Sequence, residues 1–310
     1  MSDSSFSADT GVASIQVIVP TYNGLDDLKR LVESLPQGLP LYVIDSSSTD
    51  GTLGYLAEEG IDHRVIDQRD FNHGATRQAA VEERPGYETY LFLTQDAYLA
   101  DPDAIEKLLA HFDDPDVGAV CGRQLPHSDA NPLAAHARDF NYPSSSRVKK
   151  RGDAPELGLK TAFMSNSFAA YRACALHEAG GFPAHVILAE DMYVAARMLQ
   201  KGWKIAYSGD ARCYHSHNYT AWQEFKRYFD IGVFHAREPW IQEMLGGAGG
   251  EGRRYVVSEL RYLGLARLHW WPMSLLANAM KLMGYKLGKQ HARLLPRWRK
   301  WLSMHQSYWQ

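Results

Sequence analysis

Short apolar runs that stop at polar turn residues alternate, early in the chain, with stretches whose apolar residues return every three or four positions. Ser14-Ile15-Gln16-Val17-Ile18-Val19-Pro20 predicts a strand closed by proline, followed by the polar turn Thr21-Tyr22-Asn23-Gly24. Leu25, Leu28, Leu31, Val32 and Leu35 then carry helical spacing. Residues 41–45 predict a second strand, 46–51 its loop, 52–59 a short helix and 63–66 a third strand. A loop over 67–74 leads into a helix over 75–83. Tyr90-Leu91-Phe92-Leu93 then reads as a buried fourth strand running into Thr94-Gln95-Asp96. Strands and helices in strict alternation predict a doubly wound α/β sheet.

Beyond this unit the pattern predicts a helix over 102–112 and a short strand over 117–121. Residues 123–159 loosen into Pro, Ser, Asn and basic residues, which predicts an insertion over the site. A strand is expected over 161–171, and a helix over 174–179 closed by Gly180-Gly181-Phe182-Pro183. Ala189-Glu190-Asp191 opens a helix over 192–200, followed by an edge-like strand over 203–207 and another over 211–217. The remainder is mostly helical, and no internal repeat is visible.

Composition narrows the picture by exclusion. Of 310 residues, 45% are hydrophobic and 22% charged, ordinary for a globular protein with a substantial core. A net charge of -3 argues against a nucleic-acid partner. Cys121, Cys174 and Cys213 have neither metal-ligand spacing nor a paired framework, which suits a reducing cytoplasmic setting. No run approaches the ~18–20 apolar residues of a membrane span. The first dozen residues have no signal-peptide pattern, so residues 1–13 are expected to be a disordered tail. No GxGxxG follows a predicted strand, as a dinucleotide fingerprint would, and neither GxxxxGK[ST] nor GxSxG occurs, so dehydrogenase, nucleotide-triphosphatase and hydrolase readings lose support.

The candidate chemistry lies at strand ends. The C-terminal edge of an open α/β sheet is where ligands sit, and Asp45 and Asp96 both fall there. Asp45 could accept from the imide N–H of a pyrimidine base. Asp96 could hold a hard divalent cation, magnesium or manganese, against a diphosphate. Asp191, at a helix start beside Glu190, is placed to stay ionised and act as a base, and capping explains it about as well. His215 and His217 alternate on a predicted strand and could point one way to complete the shell of that cation, although paired histidines are often solvated or core residues. The loop 69–78 is rich in donors at a helix start. There Gly74 permits close backbone approach and Arg77 could reach a phosphate or a carboxylate, while a capped surface helix is the plain alternative.

Val17 through Asn23 and Val43 through Thr52 resemble the nucleotide-binding half of the family 2 inverting glycosyltransferases. Asp70 through Arg77, Thr94-Gln95-Asp96, Glu190-Asp191 and His215-Ser216-His217-Asn218-Tyr219 resemble the rhamnosyltransferase branch, which uses dTDP-rhamnose. The resemblance spans residues 14–235. It implies a GT-A type fold, a Rossmann-like mixed sheet flanked by helices, with a nucleotide-binding half over 14–122 and an acceptor half over 123–235. It also implies direct displacement at the anomeric carbon, with a saccharide or polyprenyl-linked saccharide as acceptor.

Carried over, Pro20, Thr21, Tyr22 and Asn23 would line the nucleotide pocket, and Asp45 would read the base with Ser47 and Asp50 nearby. His73, Gly74, Arg77 and Gln95 would lie along the donor. Asp96 would hold the metal with His215 or His217, Asp191 would deprotonate the acceptor hydroxyl, and Glu190 would stand on the acceptor side. One departure matters: Thr94 occupies the first position of the family's Asp-x-Asp metal motif. With a single carboxylate, metal binding should lean on the nucleotide's phosphates.

Residues 236–310 form a helical C-terminal extension in this reading. Its Trp residues stand among Lys and Arg, which fits either peripheral contact with the cytoplasmic face of a membrane or a subdomain packing its Trp inward. Other functions stay open: the same fold using a UDP-hexose, a non-catalytic nucleotide-sugar-binding protein, or a nucleotidyltransferase. Asp96 and Asp191 together argue against the second, and the lack of a basic residue in Thr21-Tyr22-Asn23-Gly24 against the third.

Overall fold

A computed structural model describes residues 14–247 and 250–309; the tail expected over 1–13 lies outside them. The four early strands form as expected: β1 (Ile15–Thr21), β2 (Leu41–Asp45), β3 (Asp62–Val65) and β4 (Thr89–Leu93). They run parallel in the order β3-β2-β1-β4. Alternate residues serve two cores. Val17, Val19, Val43 and Leu91 pack with Leu28 and Leu31 of α1 (Leu25–Ser34) and Leu56 of α2 (Thr52–Glu58). Ile18, Ile44, Tyr90 and Phe92 pack on the other face with Ala80 of α3 (His73–Glu83). Covering both faces is why these strands read as unbroken apolar runs.

The sheet continues through β5 (Tyr98–Leu99), β6 (Val117–Leu125), β7 (Arg147–Lys149), β8 (Phe168–Arg172) and β9 (Lys204–Tyr214). The described residues thus form one nine-stranded mixed sheet in the order β3-β2-β1-β4-β8-β6-β9-β5, with β7 pairing β9. Its helices are α4 (Ala104–Leu109), α5 (Pro132–Asn141), α6 (Ala154–Leu157), α7 (Ala173–Glu178) and α8 (Glu190–Lys201). The C-terminal set is α9 (Ala221–Arg237), α10 (Pro239–Leu245), α11 (Glu251–Leu263), α12 (Trp271–Lys289) and α13 (Pro296–Leu302).

Several expectations change. The strands expected over 203–207 and 211–217 are one strand, β9, and it is interior: β6 pairs along one side, β5 and β7 along the other. The strand expected over 161–171 shrinks to β8, because 158–162 wind into a 3-10 turn and only 168–172 fit between β4 and β6. The loosened stretch 123–159 is built from the end of β6, α5, β7 and α6. Asn131 caps α5 by accepting from the Leu133 and Ala134 N–H groups, a start that the apolar pattern does not reveal.

The division at 235/236 falls inside α9. That helix packs on α12 so closely that a Cβ on Gly288 would sit 2.0 Å from the Phe229 carbonyl oxygen. The chain end also returns to the body: buried Asp230 accepts from the Met304 and His305 N–H groups at 2.9 and 3.0 Å. The Tyr308 hydroxyl donates to the His185 carbonyl at 3.0 Å. The described residues from 236 to 309 are therefore integral to the same body as the sheet and close it from one side. Among the described residues no helix is long and apolar enough to cross a membrane.

Candidate active site

Asp96, His215 and His217 converge. Their ligand atoms lie within 4.8 Å of one another, with His215 Nε2 3.4 Å and His217 Nδ1 3.6 Å from Asp96 Oδ2. Strand alternation is not what brings the histidines together, since β9 ends at Tyr214 and both residues lie in the coil beyond it.

The next layer fixes their chemistry. Gln124, near the end of β6, turns its amide oxygen to two donors, Arg138 and His215 Nδ1, the latter at 2.9 Å, and its Nε2 donates to Ser165 Oγ at 2.8 Å. An amide oxygen can only accept, so His215 is protonated on Nδ1 and, when neutral, turns the Nε2 lone pair toward Asp96. Burial, then His215, pushes His217 down to about 4, so His217 is a neutral ligand near pH 7. Burial by itself raises the Asp96 carboxyl, but His215 and then His217 more than offset it and hold it well below the carboxylate range. A carboxylate beside two imidazole nitrogens, one ring oriented by a second-layer amide, is a donor set that fits a divalent cation such as manganese.

The second centre is Asp191. Its Oδ1 accepts from the Met192 N–H at 2.7 Å and its Oδ2 from the Asn166 N–H at 3.2 Å. Asn166 also donates from Nδ2 to Glu190 Oε1 at 2.9 Å and accepts from the Tyr171 hydroxyl at 2.7 Å. The helix start does not keep Asp191 readily ionised, as its position alone suggests. Burial and then the Glu190 carboxylate push its carboxyl up to about 7, beyond what the two N–H donors restore. That value suits a base working near neutrality.

The remaining sequence candidates divide. Glu190 does not face an acceptor; it is buried and pairs with Arg77 at 3.1 Å. Burial raises its carboxyl, and Arg77 and then His73 pull it below the ordinary value. Arg77 is accordingly committed to Glu190 and to the His73 carbonyl, and reaches no open phosphate position. Gly74 gives way to protein rather than to a ligand, since a Cβ there would lie 1.8 Å from the Pro183 carbonyl oxygen. The amides at that helix start are taken by the Asn72 side chain. His73 packs edge-on against His305, ring centroids 4.8 Å apart, which brings the chain end to the Glu190 side of the site.

Asp45 is fully buried with both oxygens on Ser48, so it shapes the turn after β2 instead of meeting a base directly. Asp50 accepts from Thr52 and from the Leu25 N–H, and Asn23 accepts from the Thr49 N–H. Gln95 Oε1 accepts from the Thr21 hydroxyl at 2.6 Å and the Tyr22 N–H at 2.7 Å, tying the ends of β1 and β4 together. Pro20 belongs to β1 opposite Ile44, while Tyr22 and Ser47 stay exposed along the open edge above β1 and β2. Asn23, Ser47 and Ala189 are the non-glycine residues at positive φ in the described backbone, and all three border this edge or the Asp191 helix.

Two cavities meet at His217. An outer one of about 630 Å³ includes Asp96, Arg30 and Tyr98; an inner one of about 260 Å³ includes His215, Arg138 and Ser165. The inner cavity extends from the histidines toward Ser165, whose neighbour Asn166 holds Asp191, and α9, α11 and α12 supply part of its wall. Gln124, Arg138, Asn166 and His305 escaped the sequence reading. A usable signal existed at Asn166, where Ser165-Asn166-Ser167 interrupts the stretch expected to be one strand.

A nine-stranded mixed sheet with a carboxylate–histidine cluster and a buried carboxylate at one edge defines a GT-A glycosyltransferase. Residues 16–180 match the family model described as glycosyl transferase family 2, and the chain belongs to that family. It is 51% identical over 300 residues to the O-antigen chain rhamnosyltransferase RfbN of Salmonella typhimurium strain LT2, covering 95% of this chain and 96% of the relative. It is 49% identical to the O-antigen chain rhamnosyltransferase WbaN of Salmonella anatum, covering 96% of both. Among solved structures it resembles the mannosyltransferase PcManGT from Pyrobaculum calidifontis in complex with GDP-Man and Mn2+, at a TM-score of 0.55 and 21% identity, covering 96% of this chain and 85% of that one. It also resembles S. aureus TarS 1-349 in complex with UDP-GlcNAc, at a TM-score of 0.51 and 16% identity, covering 90% and 91%.

Proposed function

We propose that this glycosyltransferase moves rhamnose from dTDP-rhamnose to a hydroxyl of an O-antigen saccharide, with inversion at the anomeric carbon. The likeness over nearly the whole chain to two O-antigen rhamnosyltransferases supports the sugar and the acceptor class. The observation that carries the chemistry is the inner cavity, which runs from His215 and His217 to Ser165, the chain neighbour of the Asn166 whose N–H holds Asp191.

In this reading Asp96, His215 and His217 hold a divalent cation, which supplies charge neutralisation for the donor diphosphate. Asp191 takes the proton of the acceptor hydroxyl. The acceptor oxygen forms its bond to the anomeric carbon as the bond from that carbon to the phosphate oxygen breaks, and dTDP leaves. Glu190 and Arg77 act behind Asp191, and Tyr22, Asn23 and Ser47 border the nucleotide.

The exposed stripe Leu275, Leu276, Leu282 and Met283 on α12, with Trp298 and Trp301 on α13, supports peripheral contact with a membrane that carries a polyprenyl-linked acceptor. Lys286, Arg297 and Lys300 lie exposed beside it. Trp270, Trp271 and Trp309 are partly covered, which fits inward packing for these three.

The test is donor competition: dTDP-rhamnose, UDP-glucose and GDP-mannose are offered with manganese to a lipid-linked saccharide acceptor, and the product linkage is read by NMR. Inverted rhamnosyl product from dTDP-rhamnose is expected. Turnover of another donor with no rhamnosyl transfer would overturn the donor assignment.

A further inference from the structure

The inner cavity is lined by three cations, Arg138, Arg227 and Lys281. Two of them are already neutralised, because Arg227 and Lys281 both pair with Glu224, at 2.9 and 3.3 Å. Arg138 differs. No carboxylate lies within ion-pair distance of it among the described residues. One of its terminal nitrogens donates to the Gln124 amide oxygen, and its Nε, buried, meets no hydrogen-bond partner. Its guanidinium carbon lies 5.3 Å from the centroid of the Tyr142 ring, which braces the plane of the fork.

A partly buried guanidinium with unspent donors and uncancelled charge is costly unless an anion completes it. The fork geometry of arginine matches the oxygens of a phosphate, which two parallel N–H groups can grip together. The position adds to this. Arg138 shares the Gln124 oxygen with His215, so it stands one hydrogen bond behind the Asp96–His215–His217 cluster.

We infer that Arg138 is a phosphate-binding residue of the inner cavity, gripping a phosphate oxyanion next to the cation cluster. The inference rests on the proposed reading of that cluster and of Asp191. The phosphate has two sources that share this chemistry, the diphosphate of the departing nucleotide and a diphosphate linking an acceptor saccharide to its carrier. Arg138 in either case adds a fixed positive charge where the single carboxylate of the cluster leaves the metal reliant on phosphate oxygens.

The experiment uses the full chain with manganese. Inorganic pyrophosphate is titrated calorimetrically into wild type, Arg138→Gln and Arg138→Lys, and manganese affinity without pyrophosphate is measured alongside. Pyrophosphate affinity is expected to fall at least tenfold in Arg138→Gln and less in Arg138→Lys, with manganese affinity changed under threefold.

Kinetics then separate the sources. A rise confined to KM for dTDP-rhamnose assigns the nucleotide. A loss seen with a diphosphate-linked saccharide and absent with the matching phosphate-free glycoside assigns the acceptor. Should the variants misfold, phenylglyoxal labelling of Arg138 in wild type reads the same contact, since pyrophosphate should block it.

Unchanged pyrophosphate affinity in Arg138→Gln, or labelling of Arg138 that pyrophosphate does not slow, overturns the inference. Retained transfer in Asp191→Asn would sink the base assignment instead, and leaves these binding readouts standing on their own.

Discussion

Replacing Asp191 by Asn should abolish transfer and, at the same time, stabilise the fold as the pH rises. Burial and Glu190 lift the Asp191 carboxyl from 3.8 to about 7. A carboxyl raised in this way is content while protonated. Its contribution to stability is full below the unfolded value, declines as the pH rises toward the folded value, and is gone above it. A shift of that size corresponds to roughly 4 kcal/mol, at ~1.4 kcal/mol per pH unit, and is an upper bound. Part of the side chain meets solvent, which screens it, so a gain of about 2 kcal/mol for Asn at pH 8 is the reasonable expectation.

Asn also accepts less well than a carboxylate from the Met192 and Asn166 N–H groups, which trims the gain further. The assay is thermal unfolding of both proteins at pH 5, 6, 7 and 8, paired with sugar transfer at each pH. The stability difference should open in favour of Asp191→Asn between pH 5 and 8, while transfer falls by about two to four orders of magnitude. A stability gap that stays constant or closes with rising pH would refute the account of how the fold treats this carboxyl.

Glu190→Gln should break a buried pair whose side chains are 7% and 4% exposed, costing roughly 3–5 kcal/mol, and should move the acid limb of the kcat/KM profile downward because Arg77 is left uncancelled near Asp191. Adding Arg77→Met should restore most of the stability; a pH limb that does not move in the single variant counts against Glu190 as the cause of the raised value. Asp96→Asn should cost at least ~10-fold in manganese-dependent donor affinity by calorimetry and should also lower the melting temperature near pH 7 more than at pH 3, since His215 and His217 favour the ionised carboxylate in the fold. Ending the chain at Leu245 should yield unfolded or aggregated protein by circular dichroism and light scattering, because α9 loses α12 and Asp230 loses the 304 and 305 amides. A folded, donor-hydrolysing fragment would contradict the packing described for that helix pair.

Much of the fold was legible because its strands are buried on both faces. Ile18 and Val19 point to opposite cores, so β1 is apolar at every step and cannot be mistaken for a solvated strand. The later half resisted because its strands are set by partners far away in sequence. β9 reads as two strands, since Ser208, Gly209 and Asp210 interrupt it, yet a register shift against β6 between Gly122 and Arg123 absorbs the break.

Asp96 and Asp191 were legible because each stands directly after an apolar run or at a helix start. Arg77 and Asp45 carried the right chemistry, but sequence does not reveal which neighbour a side chain spends itself on: here Glu190 and Ser48. Arg138 was silent for the converse reason. It sits on a short helix that the apolar pattern does not reveal, and its significance lies in a missing counter-charge that only three-dimensional neighbours can define.

The seat of residues 304–308 against His73, Asp230 and His185 ties the C-terminal helices mechanically to the Glu190 side of the site. A disturbance of those helices is therefore felt at the carboxylate pair, although none of the described residues of α11 to α13 hydrogen-bonds to it. Asp230→Ala, which frees the 304 and 305 amides, should shift the pH profile of transfer, and a profile identical to wild type would rule this coupling out.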